Sequence, residues 1–132
     1  SCAEFNISLK KALETVIWAF YNCKGSEIVV PKLPSFKIID LIKSIKSKPK
    51  IEITGIRPGE KIHEELISNS DSKTSIDIGN YYLILPNIDL KKNYKKSKLL
   101  KDDFIYRSDQ IKDQLSIKDL SKLIQNYSNE YK

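Results

Sequence analysis

The stretch Ile51-Glu52-Ile53-Thr54-Gly55-Ile56-Arg57-Pro58-Gly59-Glu60 carries most of what can be read about this chain. Apolar residues recur at every second position from Ile51 to Ile53, and the run to Ile56 has the period of two that predicts a half-buried strand. Pro58 and Gly59 then predict a turn. Arg57 is the first residue beyond the expected strand, and ligands of α/β proteins collect outside the carboxyl ends of strands. Its planar guanidinium suits two phosphate oxygens. Glu60, three residues on, suits the vicinal hydroxyls of a ribose. An arginine and an acid flanking one bend can therefore grip the diphosphate and the ribose of a single nucleotide. On the residues alone, a surface Arg–Glu pair around a loop is the competing reading.

Working outward, Asn6 or Ser8 can cap a helix starting near Leu9, whose Leu9, Leu13, Val16, Ile17 and Phe20 share one face beside Ala12 and Ala19. Gly25 is a natural stop. Glu27 to Val30 predicts a short buried strand ended by Pro31. Pro34 and Ser35 lead into a second helix with Phe36, Ile38, Ile39, Leu41, Ile42 and Ile45 as its apolar set. After the bend, His63 with Ile62 and Leu66 suggests a short helix, and Ser68 to Thr74 a polar loop. Tyr81 to Pro86 predicts a third strand. Residues 91–101 hold six lysines and read as a solvated, mobile loop. Ser116 caps a last helix with Ile117, Leu120, Leu123 and Ile124 as its stripe. The alternation of helices and strands predicts an α/β (or α+β) fold, a small sheet of about three strands covered by helices, in a single domain over 1–132.

Composition narrows the function. The chain has 132 residues and a net charge of +6, almost all of it from lysine, since Arg57 and Arg107 are the only arginines among 23 basic residues. Nucleic-acid readers lean on arginine, and only Tyr94 and Phe104 are aromatic near the lysine-rich run, so nucleic acid is not an expected partner. No apolar run approaches the ~20 residues of a membrane helix, and no secretory signal opens the chain, so a cytoplasmic location is expected. Cys2 and Cys23 have no metal spacing and read as free thiols. There is no methionine even at position 1, which suggests a piece of a longer chain.

Catalytic chemistry finds little purchase. The four glycines, at 25, 55, 59 and 79, do not form a G-x-G-x-x-G turn, so no cofactor site is expected in this chain. His63, the only histidine, stands beside Glu64 and Glu65, but one histidine and adjacent acids do not make a metal site. Tyr94 and Lys98 satisfy Tyr-x-x-x-Lys by chance, inside the lysine-rich loop. No catalytic and no metal-binding residue is therefore assigned.

Gly55 to Leu66, reading G-I-R-P-G-E-K-I-H-E-E-L, resembles the C-terminal signature of nucleotide-sugar 4,6-dehydratases of the extended short-chain dehydrogenase/reductase (NAD-dependent epimerase/dehydratase) superfamily. The type most similar is the inverting UDP-N-acetylglucosamine 4,6-dehydratase of surface polysaccharide and nonulosonic acid biosynthesis. Phe5-Asn6-Ile7-Ser8-Leu9, Glu27 to Ser35 (with Ser26 where glycine is usual), Tyr81 to Pro86 and Tyr106-Arg107-Ser108 agree in order and spacing. The resemblance implies a UDP-sugar site in which Arg57 contacts the diphosphate and Glu60 the ribose. It also implies a C-terminal substrate-binding part without its Rossmann half, which in the parent enzyme binds NADP or NAD and carries the catalytic residues. Such a chain would be inert alone, with a homo-oligomer as a further partner. The alternative from another class is an oligomerisation or interaction module with no ligand of its own.

Overall fold

The computed structural model describes residues 2–46 and 48–130. The chain is mixed α/β, and its sheets are small and antiparallel. It divides into two compact units: Ser1–Asn6, Pro34–Glu64 and Ser108–Lys132 form the first, and Ile7–Leu33 with Glu65–Arg107 the second.

In the first unit, β1 (Ala3–Phe5) pairs antiparallel with β3 (Ser35–Lys37), so the expected helix start at Ser35 is displaced by a three-residue strand. The helix itself, α2 (Ile38–Ile45), follows without a break and packs on α4 (Ile117–Glu130). Ser121 donates its hydroxyl to the Ser44 carbonyl across that pair at 3.2 Å. Leu120, from the expected apolar stripe of α4, is buried. Ser116 caps α4 as its sequence suggests: its hydroxyl accepts from the Asp119 N–H, and the Asp119 carboxylate takes the Ser116 N–H and hydroxyl. Those bonds hold the Asp119 carboxyl below its ordinary range.

The second unit carries the expected strands at the front and rear of the chain. A four-stranded sheet runs in the order β2 (Ile28–Pro31), β6 (Tyr81–Ile84), β5 (Ser75–Asp77), β7 (Lys98–Leu99). A separate pair joins β4 (Glu65–Ile67) to β8 (Tyr106–Arg107), where a short helix after the bend had been expected. The polar run after β4 holds one turn of helix, α3 (Asn69–Ser72), fixed by a capping box between Ser68 and Asp71. In the lysine-rich run, a 3-10 turn (Ile88–Asn93) precedes β7. Ile76, Leu83 and Leu85 form the core, with Trp18, Val29, Ile78, Leu90 and Tyr94 packed around it.

The first long helix, α1 (Leu9–Asn22), belongs to this unit. Ser8 caps it by accepting the Lys11 N–H at 3.1 Å, a contact worth ~1 kcal/mol. It stops at Asn22, before Gly25, and the turn beyond puts Ser26 at φ 65°. That left-handed conformation costs a non-glycine residue ~1–2 kcal/mol, which is why glycine suits this position. The helix packs through Trp18, whose ring lies 4.7 Å from that of Tyr81.

Lys32 and Asp77 form the best-defined ion pair of the sheet, at 2.7 Å, with the Lys32 ammonium also over the Tyr82 ring. Burial pushes the Asp77 carboxyl up, but the Lys32 hydrogen bond, the Gly79 N–H and the charges of Lys32 and Lys98 outweigh it, and its pKa is lowered. The stabilisation is therefore complete above the unfolded carboxyl's pKa of ~4 and is lost as pH falls through the lower folded value. Asp77→Asn should flatten the stability–pH curve on the acid side and cost ~1 kcal/mol at pH 7, since both groups are partly screened by solvent. Urea midpoints from pH 7 down to pH 2 for both proteins would check this.

Candidate functional site

The segment from Ile51 to Ile56 is not a strand, although its alternation predicts one. A strand needs a hydrogen-bonded neighbour for its backbone groups, and none pairs with 51–56 among the described residues. Its apolar residues consequently face solvent, Ile53 being 92% exposed. The placement of Arg57 beyond a strand end thus falls away, and its position is set by the turn alone.

That turn is well determined locally. Pro58 pre-sets φ at the second turn position, and Gly59 takes φ 86° at the third, where a side chain would be strained. The Glu60 N–H donates to the Arg57 carbonyl at 3.0 Å, and the Arg57 N–H donates to Glu60 Oε2 at 3.0 Å. The bend is closed from both ends. The two expected site residues are brought together, with Arg57 Nε 4.0 Å from Glu60 Oε1, and both side chains are open to solvent, at 85% and 52% exposure. An exposed pair of this kind contributes ~0–1 kcal/mol, so a ligand can separate it at little cost.

Glu60 also borders a groove of about 660 Å³, whose other walls are Cys2, Glu4, Ile38, Gly59, Lys61 and Glu64. Sequence spacing gave no hint of this, since Cys2 and Glu4 lie more than fifty residues before Gly59, with Ile38 between them. They meet because Ala3 bridges to His63 and donates its N–H to the Ile62 carbonyl at 3.2 Å. Ser108, fully buried, secures the junction: it donates its hydroxyl to the Ala3 carbonyl at 2.6 Å and accepts the Glu64 N–H at 3.0 Å. The groove is acidic, with Glu4, Glu60 and Glu64 against Lys61. Its carboxylates are acceptors suited to hydroxyl groups, while the one arginine of the bend stands in solvent outside the groove walls. Cys2 is a poor nucleophile here, because burial and the Glu4 carboxylate push its thiol pKa up.

His63 Nε2 lies 3.6 Å from Asp109 Oδ2, and among the described residues no group of three or more histidines, cysteines or acids is placed to hold a metal. Tyr94 donates its hydroxyl to Glu27 Oε1 at 2.6 Å, and burial together with that carboxylate drives the phenol pKa up. A catalytic tyrosine needs the opposite shift. Lys98 lies in β7. All four glycines have positive φ, and a Cβ on any of them would meet nothing within 4 Å. That conformation favours glycine at each position, and at Gly59 it closes the bend.

The sequence profile described as "Polysaccharide biosynthesis protein" matches residues 1–86. A UDP-N-acetylglucosamine 4,6-dehydratase (inverting) of Campylobacter jejuni is 40% identical over 114 residues, covering 80% of this chain and 34% of that protein. A UDP-glucose 4-epimerase of Rickettsia typhi is 34% identical over 137 residues, covering 94% of this chain and 38% of that one. The X-ray structure of Pen from Bacillus thuringiensis superposes with a TM-score of 0.78 at 30% identity, covering 96% of this chain and 39% of its own. The chain thus spans between 34% and 39% of the length of each of these three proteins.

Proposed function

The chain belongs to the polysaccharide biosynthesis protein family, and from that premise we propose that it is the UDP-sugar-binding C-terminal part of a nucleotide-sugar 4,6-dehydratase or epimerase acting in the cytoplasm. The observation that carries this is the closed Arg57–Glu60 bend, with its guanidinium in solvent and its carboxylate on the rim of a groove. Arg57 pairs with the diphosphate, where a planar fork can take two oxygens at once. Glu60 turns from the Arg57 N–H to the ribose hydroxyls and accepts from them. The names of the relatives support a UDP-sugar as the ligand class.

In this reading hydride transfer is the chemistry of NADP or NAD held by the remainder of the enzyme, and this chain contributes binding and orientation of the nucleotide. Alone it is catalytically silent. Calorimetric titration of UDP into the chain, Arg57→Ala and Glu60→Gln tests the assignment. Arg57→Ala should weaken binding by about tenfold or more, consistent with ~1.5–3 kcal/mol for hydrogen bonds to a charged group. Glu60→Gln should weaken UDP and spare inorganic pyrophosphate, which has no ribose. Equal UDP affinity for all three proteins would remove both residues from the site.

A further inference from the structure

The walls of the groove beside Glu60 all lie in the first unit, and one buried hydroxyl stands between two of them. Ala3 sits between the wall residues Cys2 and Glu4 and bridges in parallel to His63, one residue before the wall residue Glu64. On the opposite edge of β1 the third wall is fixed directly, as the Ile38 N–H donates to the Cys2 carbonyl at 3.1 Å. On the His63 edge, the Ala3 N–H donates to the Ile62 carbonyl at 3.2 Å. The regular parallel pattern completes such a bridge by setting the Glu64 N–H on the Ala3 carbonyl. Ser108 Oγ occupies this line: it accepts the Glu64 N–H at 3.0 Å and donates to the Ala3 carbonyl at 2.6 Å. The Ser108 N–H also donates to the Glu64 carbonyl at 2.9 Å, and the residue is fully buried.

We infer that Ser108 is a positioning residue: its hydroxyl is a spacer that sets the separation of the Cys2–Glu4 wall from the Glu60–Glu64 wall, and so the fit of a nucleoside between them. The ligand in this inference rests on the nucleotide reading above, whereas the spacer rests on the hydrogen bonds. A direct backbone bond brings its nitrogen and oxygen to ~2.9 Å, and a hydroxyl placed between them holds them further apart. Serine can stand there because its hydroxyl accepts and donates at once. Without it, the Glu64 N–H and the Ala3 carbonyl can bond to each other, so both stay satisfied and the walls draw in. Asp109 holds the adjacent His63, with Oδ2 3.6 Å from Nε2, so the distance is set at Glu64. Arg57 lies outside this arrangement, because its bend is closed by Glu60. The effect therefore falls on the nucleoside and not on the diphosphate.

The test compares the full chain with Ser108→Ala and with Ser108→Thr, which keeps the hydroxyl. UDP and inorganic pyrophosphate are titrated calorimetrically, and maleimide labelling of Cys2 is read peptide by peptide against Cys23 of the other unit. Ser108→Ala should weaken UDP binding about tenfold, the order of one buried hydrogen bond, and leave pyrophosphate binding unchanged. It should also slow Cys2 labelling about threefold or more, because access to the thiol narrows. Its melting by circular dichroism should change little. Ser108→Thr should return both readouts towards those of the unmodified chain, and the alanine variant decides whether or not the added methyl is accommodated. Slowed Cys2 labelling in a chain that binds no UDP even when unmodified would remove the nucleotide reading and support the spacer. Unaltered Cys2 labelling, or unaltered affinity in a chain that does bind UDP, would overturn the proposal. So would a Ser108→Ala chain that fails to fold, since the hydroxyl would then hold the fold and not the groove.

Discussion

Leu83→Ala should lower the stability of the second unit by about 2–5 kcal/mol, one of the two largest effects expected of a single substitution in this chain. Leu83 is fully buried in β6, lies opposite Ile76 of β5 and shares the core cluster with Ile76 and Leu85. Its removal takes away the transfer energy of three carbons and leaves a hole that two paired strands on either side cannot close, because β6 is held by β2 and β5 together. Trp18 is the only tryptophan and packs against this core, so its fluorescence reports unfolding of this unit. At a urea m value of ~1.5 kcal/mol/M the midpoint should fall by about 1–3 M. Leu13→Ala, on the outer face of α1, removes the same atoms from solvent and should move the midpoint by the equivalent of no more than ~0.5 kcal/mol. Similar shifts for the two variants would mean that the sheet is not the core of this unit.

Tyr106→Phe should cost about 2–4 kcal/mol, although it removes one oxygen atom. The Tyr106 hydroxyl accepts the Leu33 N–H at 2.7 Å and donates to the Leu33 carbonyl at 3.0 Å, so it satisfies both backbone groups of a buried residue. Leu33 follows β2 and has no strand partner to replace it. An unsatisfied buried donor or acceptor costs about 1–3 kcal/mol, and here one of each is orphaned. Tyr82→Phe is the control. Its ring packs edge-on against Tyr106 at 5.2 Å and keeps its place under Lys32 without the hydroxyl, so the change should fall below ~1 kcal/mol. The same Trp18 signal reads both variants, and equal midpoints for Tyr106→Phe and the unmodified chain would show that Leu33 finds other partners.

These two contacts explain why Tyr106-Arg107-Ser108 carries weight out of proportion to its length. Tyr106 ties the second unit to the Leu33 of its Pro-Lys-Leu-Pro segment, and Ser108 ties Ala3 to Glu64 in the first. The tripeptide joins segments between 44 and 105 residues apart in sequence through backbone groups. Nothing in composition or periodicity marks a serine or a tyrosine for that role.

The legible features were those whose cause lies within a few residues. The caps at Ser8 and Ser116, the strands that became β2 and β6, and the Arg57–Glu60 bend all follow from neighbouring side chains, from proline or from glycine with positive φ. The family too was readable there, because the signature is a contiguous run of letters. The rest depended on partners that no local pattern names. The alternation over Ile51 to Ile56 is sound strand chemistry without a strand to pair with among the described residues, so the backbone stays irregular. The apolar stripe of α1 is correct as a stripe, yet the helix turns Trp18 inward and leaves the stripe outside. The strands β3, β4 and β8 are two or three residues long, too short for periodicity to register, and exist only because a second short strand lies alongside. The sequence by itself thus determined the family, the bend and the two side chains that flank it. Tertiary structure alone decided which residues wall the groove beside Glu60 and which apolar face stays open, because hydrogen-bond pairing and burial are properties of partners distant in the chain.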